Sequence, residues 1–405
     1  MKAHNRFILS GIVVSSVVFG SAAHSQTWKQ LNAPITNWSA IACSADGSKV
    51  VAAVWQGPIY TSTNSGSNWL ATSAPVTNWS AVASSADGTR LLAAVGRIAY
   101  EPGPVFYSTN SGIDWIITSA PATNWWASVA CSADGTKLVA VLSRAQYLPG
   151  GIYCSQDAGN NWSRAEGLDD YWEFWVSVGS SAAGDKLAVA NYGHGTVTIS
   201  TNFGATWVDN AAGIDGPPVA VASSADGNNL VAASTQGGIF TSTNGGAAWG
   251  PTTAPSQEWV TVASSADGKI LVAAPDLNYG LGHIYFSTDS GGSWAPASAP
   301  NTNWSSVASS ADGNRLFAAV NSGSIYAFYS EPIPVLKIEP SSGSFMLSWI
   351  VPSTIFALQQ NPDLSTTNWT DVTAKPSLNY TNLNYELTLP AGPGAMFYRL
   401  AAKGQ

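Results

Sequence analysis

The chain has 405 residues, a net charge of −8 and only 10% charged side chains, against roughly 25% in an average soluble protein. Ser, Thr, Asn and Gly supply the polar surface instead. So few Lys and Arg exclude a nucleic-acid partner, which needs clustered cations to neutralise phosphates.

Residues 1–25 read as a secretory signal, with Lys2 and Arg6 ahead of an apolar run from Phe7 to Phe19 and small residues at Ser21, Ala22 and Ala23. The run is shorter than the roughly 18 residues a membrane span needs. A short anchor that stays attached is the other reading. An exported chain follows, extracellular or, in a Gram-negative cell, periplasmic. Cys43, Cys131 and Cys154 are an odd set for such a chain. Their repeat positions do not pair easily, so all three are expected as small core residues without a disulfide. No metal-ligand spacing occurs, and no metal or cofactor is expected.

Residues 26–330 repeat. A turn recurs as Asp46-Gly47, Asp87-Gly88, Asp134-Gly135, Ala183-Gly184, Asp226-Gly227, Asp267-Gly268 and Asp312-Gly313, at spacings from 41 to 49 residues. Asp-Gly between alternating apolar runs is a hairpin signal, because Gly accepts positive φ and Asp binds the turn amides. Short strands at such a period predict propeller blades. A second motif ends at Trp69, Trp115, Trp162, Trp207, Trp249 and Trp294, as in Ser108-Thr109-Asn110-Ser111-Gly112-Ile113-Asp114-Trp115.

This second motif resembles the Asp-box, or BNR, repeat of the sialidase and xyloglucanase-like propellers, over residues 28 to about 330. Asn stands at the acidic position in four copies (Asn64, Asn110, Asn202, Asn244), and Asp in two, Asp157 and Asp289. Asn also accepts amide hydrogen bonds, so the turn is expected to survive. The resemblance implies a structural role for the box. The seventh unit has no box, and Trp28 to Leu31 matches the fourth strand that it lacks. The expected fold is all-β: a seven-bladed propeller closed by its N-terminal strand.

A further Trp stands eight residues before each turn, at Trp38, Trp79, Trp126, Trp175, Trp259 and Trp304, with Pro218 in the fifth unit. Core packing is one reading and a ring of sugar-stacking faces is the other. Residues 331–334 form a Pro-bearing linker. Residues 335–405 alternate polar and apolar and resemble a small fibronectin-type β-sandwich, an accessory domain.

In a four-stranded blade the Asp-Gly turns and the boxes fall on one face. The strand 2–3 and inter-blade loops fall on the other, and every irregular insertion in this chain belongs to that second face. Binding concentrates on such loops. Arg97, Tyr100 and Glu101 share R-x-x-Y-x-P-G with Arg144 and Tyr147 in the next unit. The connector into the fourth unit supplies Asp170, Trp172 and Glu173. Tyr192 and His194 follow in that unit, and Asp276, Tyr279 and His283 in the sixth. Aromatic faces stack on sugar rings, and Arg and carboxylates hold hydroxyls or charged groups. Plain hydrogen-bonded surface is the alternative for these loops.

The resemblance to sialidases implies three clamping arginines, and only Arg97 and Arg144 fall on the expected face. Xyloglucanase-like relatives imply two opposed carboxylates, for which Glu101, Asp169, Asp170, Glu173, Asp215, Glu258 and Asp276 are available. The sequence therefore points to an exported, monomeric, non-catalytic propeller that binds a polysaccharide, a cell-surface glycan or a protein partner. A glycan hydrolase or lyase on the same face is the alternative. A third possibility resembles propeller assembly factors for membrane complexes such as photosystem II. These would want a basic stripe, which the scarcity of Lys and Arg does not offer.

Overall fold

The computed structural model describes residues 7–9, 12–14, 27–96, 103–122, 125–142, 150–168, 174–210, 213–275, 282–330, 335–341, 343–350, 356–391 and 396–402. The described residues form strands and turns, and among them no helix is long and apolar enough to cross a membrane. The chain divides into two compact parts, the larger of residues 26–330 with 380–382 and the smaller of 1–25, 331–379 and 383–405.

The larger part is built from antiparallel four-stranded units. The second unit runs Thr77–Ser84, Leu91–Val95, Val105–Ser108 and Ile116–Ile117. Its second strand, Leu-Leu-Ala-Ala-Val, is buried along its whole length. Such continuous apolar runs are expected where a sheet is covered on both faces. Outermost strands are two or three residues long and mostly exposed, which limits edge-to-edge pairing. The first two units merge through Trp55↔Asn78 and Gly57↔Thr77.

The chain ends of this part meet. Lys29–Gln30 pairs with Ile325–Tyr329 in the register Lys29↔Ala327 and Gln30↔Tyr326, and the Leu31 amide donates to the Ile325 carbonyl at 2.8 Å. Trp28 is buried, with its ring 6.0 Å from that of Phe328. The N-terminal strand thus supplies the fourth member of the last sheet. A second closure runs through the alanines just before the turns. Ala45 N–H donates to the Ala86 carbonyl, Ala86 to Ala133, Ala133 to Ala182, Ala182 to Ala225, Ala225 to Ala266, Ala266 to Ala311, and Ala311 back to Ala45, all at 2.7–2.8 Å. This belt returns to its own start, and a methyl side chain leaves room for neighbouring backbones to meet.

The Trp residues ahead of the turns are core. Trp38, Trp79, Trp126, Trp175, Trp259 and Trp304 are 0–2% exposed, so they present no face to a sugar. Trp79, Trp126 and Trp304 donate from Nε1 to the carbonyls of Gly57, Gly103 and Gly282 in the preceding unit. Indole N–H groups thereby fasten one sheet to the next while the rings fill the gap. The three cysteines are free, and burial pushes each thiol up to about 12.

Each Asp-Gly turn is held by its own Asp. Ser85 Oγ, Thr89 N and Thr89 Oγ1 all donate to Asp87 Oδ1 at 2.6–2.9 Å. The fourth copy has Ala183 at this position, and Asp185 takes over by accepting from Ser181 Oγ at 2.8 Å. The residue two places after each turn glycine reaches the neighbouring turn. Arg90, Lys137, Lys186 and Asn229 donate to the carbonyls of Asp134, Ala183, Asp226 and Asp267. The boxes pack against these turns, as in Ser65 N to Ser48 O at 2.7 Å and Ser111 N to Thr89 O at 2.8 Å. Both turn sets therefore share one face, as the strand order requires.

The smaller part contains one sheet of Lys337–Ser341, Ser344–Ile350, Asn384–Pro390 and Ser377–Asn379, and another of Thr370–Asp371, Phe356–Asn361 and Phe397–Ala402. Phe345, Leu347, Trp349 and Leu387 from the first pack with Leu358 from the second. Phe7–Leu9 pairs with Ile12–Val14.

Candidate ligand channel

A cavity of about 690 Å³ lies among the innermost strands of the larger part. Its wall derives from one local irregularity that the sequence repeats. In every unit the register of the first strand slips at the residue after the Trp (or Pro218), as between Trp38 and Ala40, Trp79 and Ala81, and Pro218 and Ala220. A bulge re-aims the side chain of its extra residue. The bulged residues (Ser39, Ser80, Ala127, Val176, Val219, Val260 and Ser305) all line the cavity, and so do the residues that follow them.

The belt of alanine amides brings neighbouring backbones into direct contact. One level further along, the gap between strands is bridged by side chains instead. Ser128, Ser177, Thr261 and Ser306 accept hydrogen bonds from the amides of Val178, Val221, Val307 and Ile41 in the next unit, at 3.1–3.4 Å. The channel thus widens away from the turn face. Its far end carries Trp125, Tyr192, Thr235 and Glu258. Tyr192 and Thr235 directly follow the second strands Leu187–Asn191 and Leu230–Ser234. Trp125 and Glu258 directly precede first strands. This mouth is therefore on the face of the strand 2–3 and inter-unit loops.

Of the side chains singled out in the sequence, Tyr192 lies at this mouth and is 43% exposed. His194 is exposed in the same turn, where its amide donates to Asn191 Oδ1 at 3.3 Å. His283 is exposed beside Gly282 and does not line the channel. Arg97, Tyr100, Glu101, Arg144, Tyr147, Asp170, Trp172, Glu173, Asp276 and Tyr279 lie outside the described residues. Glu258, one of the candidate carboxylates of this face, also lines the mouth, whereas Trp125 and Thr235 were not singled out in the sequence. Their signal was position: each directly flanks an innermost or second strand on the elaborated face.

Among the described lining residues Glu258 is the only carboxylate, and no Lys or Arg contributes. Described arginines of this part are engaged elsewhere. Arg90 and Arg315 hold turn carbonyls on the opposite face, and Arg164 donates to the Gly150 carbonyl at 2.9 Å. Among the described residues no group of three or more His, Cys, Asp or Glu comes together to hold a metal ion.

The fold is similar to that of solved propellers. YCF48 from Cyanidioschyzon merolae aligns with a TM-score of 0.57 at 17% identity, covering 75% of this chain and 98% of that one. YCF48 bound to D1 peptide gives 0.57 at 13% identity, covering 77% and 97%. The GH74 xyloglucanase from Xanthomonas campestris gives 0.59 at 16% identity, covering 80% of this chain and 59% of the enzyme. These likenesses show an all-β propeller fold. No family model matches the sequence, and comparison with characterised proteins returns no match.

Proposed function

We propose that this chain is an exported, seven-bladed Asp-box propeller that binds a glycan or protein partner without chemistry of its own. Binding occurs on the face of the strand 2–3 and inter-blade loops. Residues 1–25 direct export, residues 26–330 form the ring, and residues 335–405, beyond the linker, form a β-sandwich accessory domain. The observation that carries this reading is the channel mouth. It opens on the elaborated face and offers Trp125 and Tyr192 beside a single described carboxylate, Glu258. Aromatic side chains there provide contact area at small cost in ordering, as binding surfaces require. Arg97, Tyr100, Glu101, Arg144, Tyr147, Asp170, Trp172, Glu173, Asp276 and Tyr279 are the further binding residues proposed from their sequence positions in the insertions expected on this face. The solved propellers include one bound to a peptide and one named as a xyloglucanase, and both kinds of ligand suit such a face.

The test is retention of polysaccharides and of exported proteins by the wild type and by Tyr192→Ala, Trp125→Ala and Tyr100→Ala. Loss of retention in these variants, with unchanged unfolding, is the expected result. Unchanged retention in all three would remove the proposal. Glycan hydrolysis is the second reading, favoured by Glu258 at the mouth. It requires a partner carboxylate about 5–9.5 Å away, and product analysis with Glu258→Gln decides it. Release of sugar by the wild type and not by the variant would establish an enzyme.

A further inference from the structure

We infer that the channel itself takes the end of a neutral glycan chain, read by two rings of inward side chains. This rests on the binding reading above and names the ligand class for the same face. The ring of bulged residues divides into two arcs. Ser305, Ser39 and Ser80 stand in three successive units. Ala127, Val176, Val219 and Val260 stand in the other four. One side of the channel is therefore hydroxylic and the other aliphatic, at the same depth.

The hydrogen-bonding sense of the hydroxyls is already set. Ser39, Ser80 and Ser305 donate their O–H to the carbonyls of Ala53, Ala94 and Ala319 at 3.1–3.2 Å. Their remaining lone pairs are left as acceptors. The next ring has the opposite sense. Ser128, Ser177, Thr261 and Ser306 use oxygen lone pairs to accept backbone amides, which leaves their O–H groups as donors. Where Ala40, Ala81 and Ala220 replace the hydroxyl, the amides of Val82, Val129 and Val262 in the following units have no such bridge. Those three residues line the cavity. The channel thus offers acceptors at one level, donors at the next and a hydrocarbon wall opposite.

A pyranose ring has the matching character: hydroxyls that both donate and accept around its edge, and CH groups on its faces. A volume of about 690 Å³ is within the range of pockets that enclose small ligands. An ionised ligand is disfavoured, because no described cation lines the wall and desolvating an unpaired charge is costly. Trp125 and Tyr192 at the mouth then stack on the sugars that follow the inserted end.

The experiment is calorimetric titration of the whole chain with neutral gluco-, xylo- and manno-oligosaccharides, a uronic-acid oligomer and a short peptide. A neutral oligosaccharide should bind, and the uronate at least about tenfold more weakly. Ser39→Ala and Ser80→Ala each remove an acceptor and should weaken binding about three- to tenfold. Ser305→Ala should do the same, and thermal unfolding verifies that the variants fold. The inference is overturned if no neutral oligosaccharide binds, if the serine variants bind it as the wild type does, or if the peptide is what responds to them. Loss of partner retention in Tyr192→Ala together with indifference to the serines removes the channel and keeps the face. Indifference to both sets removes both.

Discussion

Arg315 Nη1 donates to the carbonyl oxygen of Asp46 at 2.7 Å, joining the last turn of the ring to the first. The same nitrogen reaches Ser65 Oγ at 3.2 Å. The stem of the side chain lies over Gly47, whose φ is +63°. A Cβ there would stand 2.8 Å from Arg315 Cδ. Gly47 is thus required twice, for its backbone conformation and for the close approach. Arg315→Ala removes a charged donor from a partly buried carbonyl and should lower stability by about 1.5–3 kcal/mol. Denaturant unfolding measures this, with Arg90→Ala as the comparison. Arg90 makes the equivalent bond at 2.8 Å in an exposed setting, and its loss should cost less.

The other closure is covalently remote in the same way. Trp28 is 7% exposed, and its amide donates to Ser298 Oγ at 3.3 Å. Trp28→Ala leaves a cavity at the seam where the N-terminal strand completes the last sheet. The expected loss is about 3–5 kcal/mol, with a lower midpoint and a less cooperative transition by calorimetry. A change below about 1 kcal/mol would mean that the Lys29–Gln30 pairing, the Arg315–Asp46 bond and the alanine belt close the ring without the Trp28 side chain.

What the sequence revealed was what is local. Asp87-Gly88 and its copies, and the boxes ending in Trp, are complete within a few residues, so position alone identified them. The role of Trp79 and its counterparts needed the neighbouring sheet, whose Gly57 carbonyl receives the indole. Asp185 replaces the missing carboxylate of the Ala183 turn from a shifted position, which the repeat spacing does not mark. The bulge that turns Ser39 and Val219 toward the axis is a matter of register between strands and leaves no residue signature. Trp125 stands in a short connector just before a first strand, where neither length nor irregularity marks it. In the smaller part, Phe345–Trp349 and Tyr385–Leu389 were readable by alternation. Thr370–Asp371 is too short to alternate, and Lys337–Ser341 contains Pro340.

The turn carboxylates predict opposite responses to acid. Burial raises the Asp87 carboxyl, but donation by Ser85 and Thr89 outweighs it, so the group sits below its ordinary value. Asp134 and Asp226 behave alike. Their stabilisation is present above the unfolded value of about 3.9 and is lost as pH falls through the depressed folded value. At Asp312 burial wins over the bonds from Ser310 and Asn314, and the carboxyl is raised. Its contribution is largest when protonated and is lost as pH rises through the raised value. At neutral pH, Asp87→Asn should therefore lower the melting temperature and Asp312→Asn should raise it or leave it unchanged. Both differences should shrink toward zero in acid. Parallel behaviour of the two variants would contradict the assignment.

The box makes a separate prediction, because its Ser and its acidic position do different work. Ser62 Oγ accepts from the buried Gly66 amide at 2.8 Å and donates to Asn64 Oδ1 at 2.9 Å. Asn64 Oδ1 in turn accepts from the Asn68 amide at 2.9 Å. In the copy with Asp157 the same bonds form from Ser155 and Asn161. An oxygen at the acidic position accepting these bonds is what the two kinds of box share. Asn64→Asp should leave the unfolding midpoint at neutral pH nearly unchanged. Ser62→Ala strands a buried amide and should cost about 1–3 kcal/mol. Gly66→Ala should also be destabilising, chiefly because φ is +83°. If Asn64→Asp proves as damaging as Ser62→Ala, the neutral and acidic boxes are not equivalent, and charge at this turn matters after all.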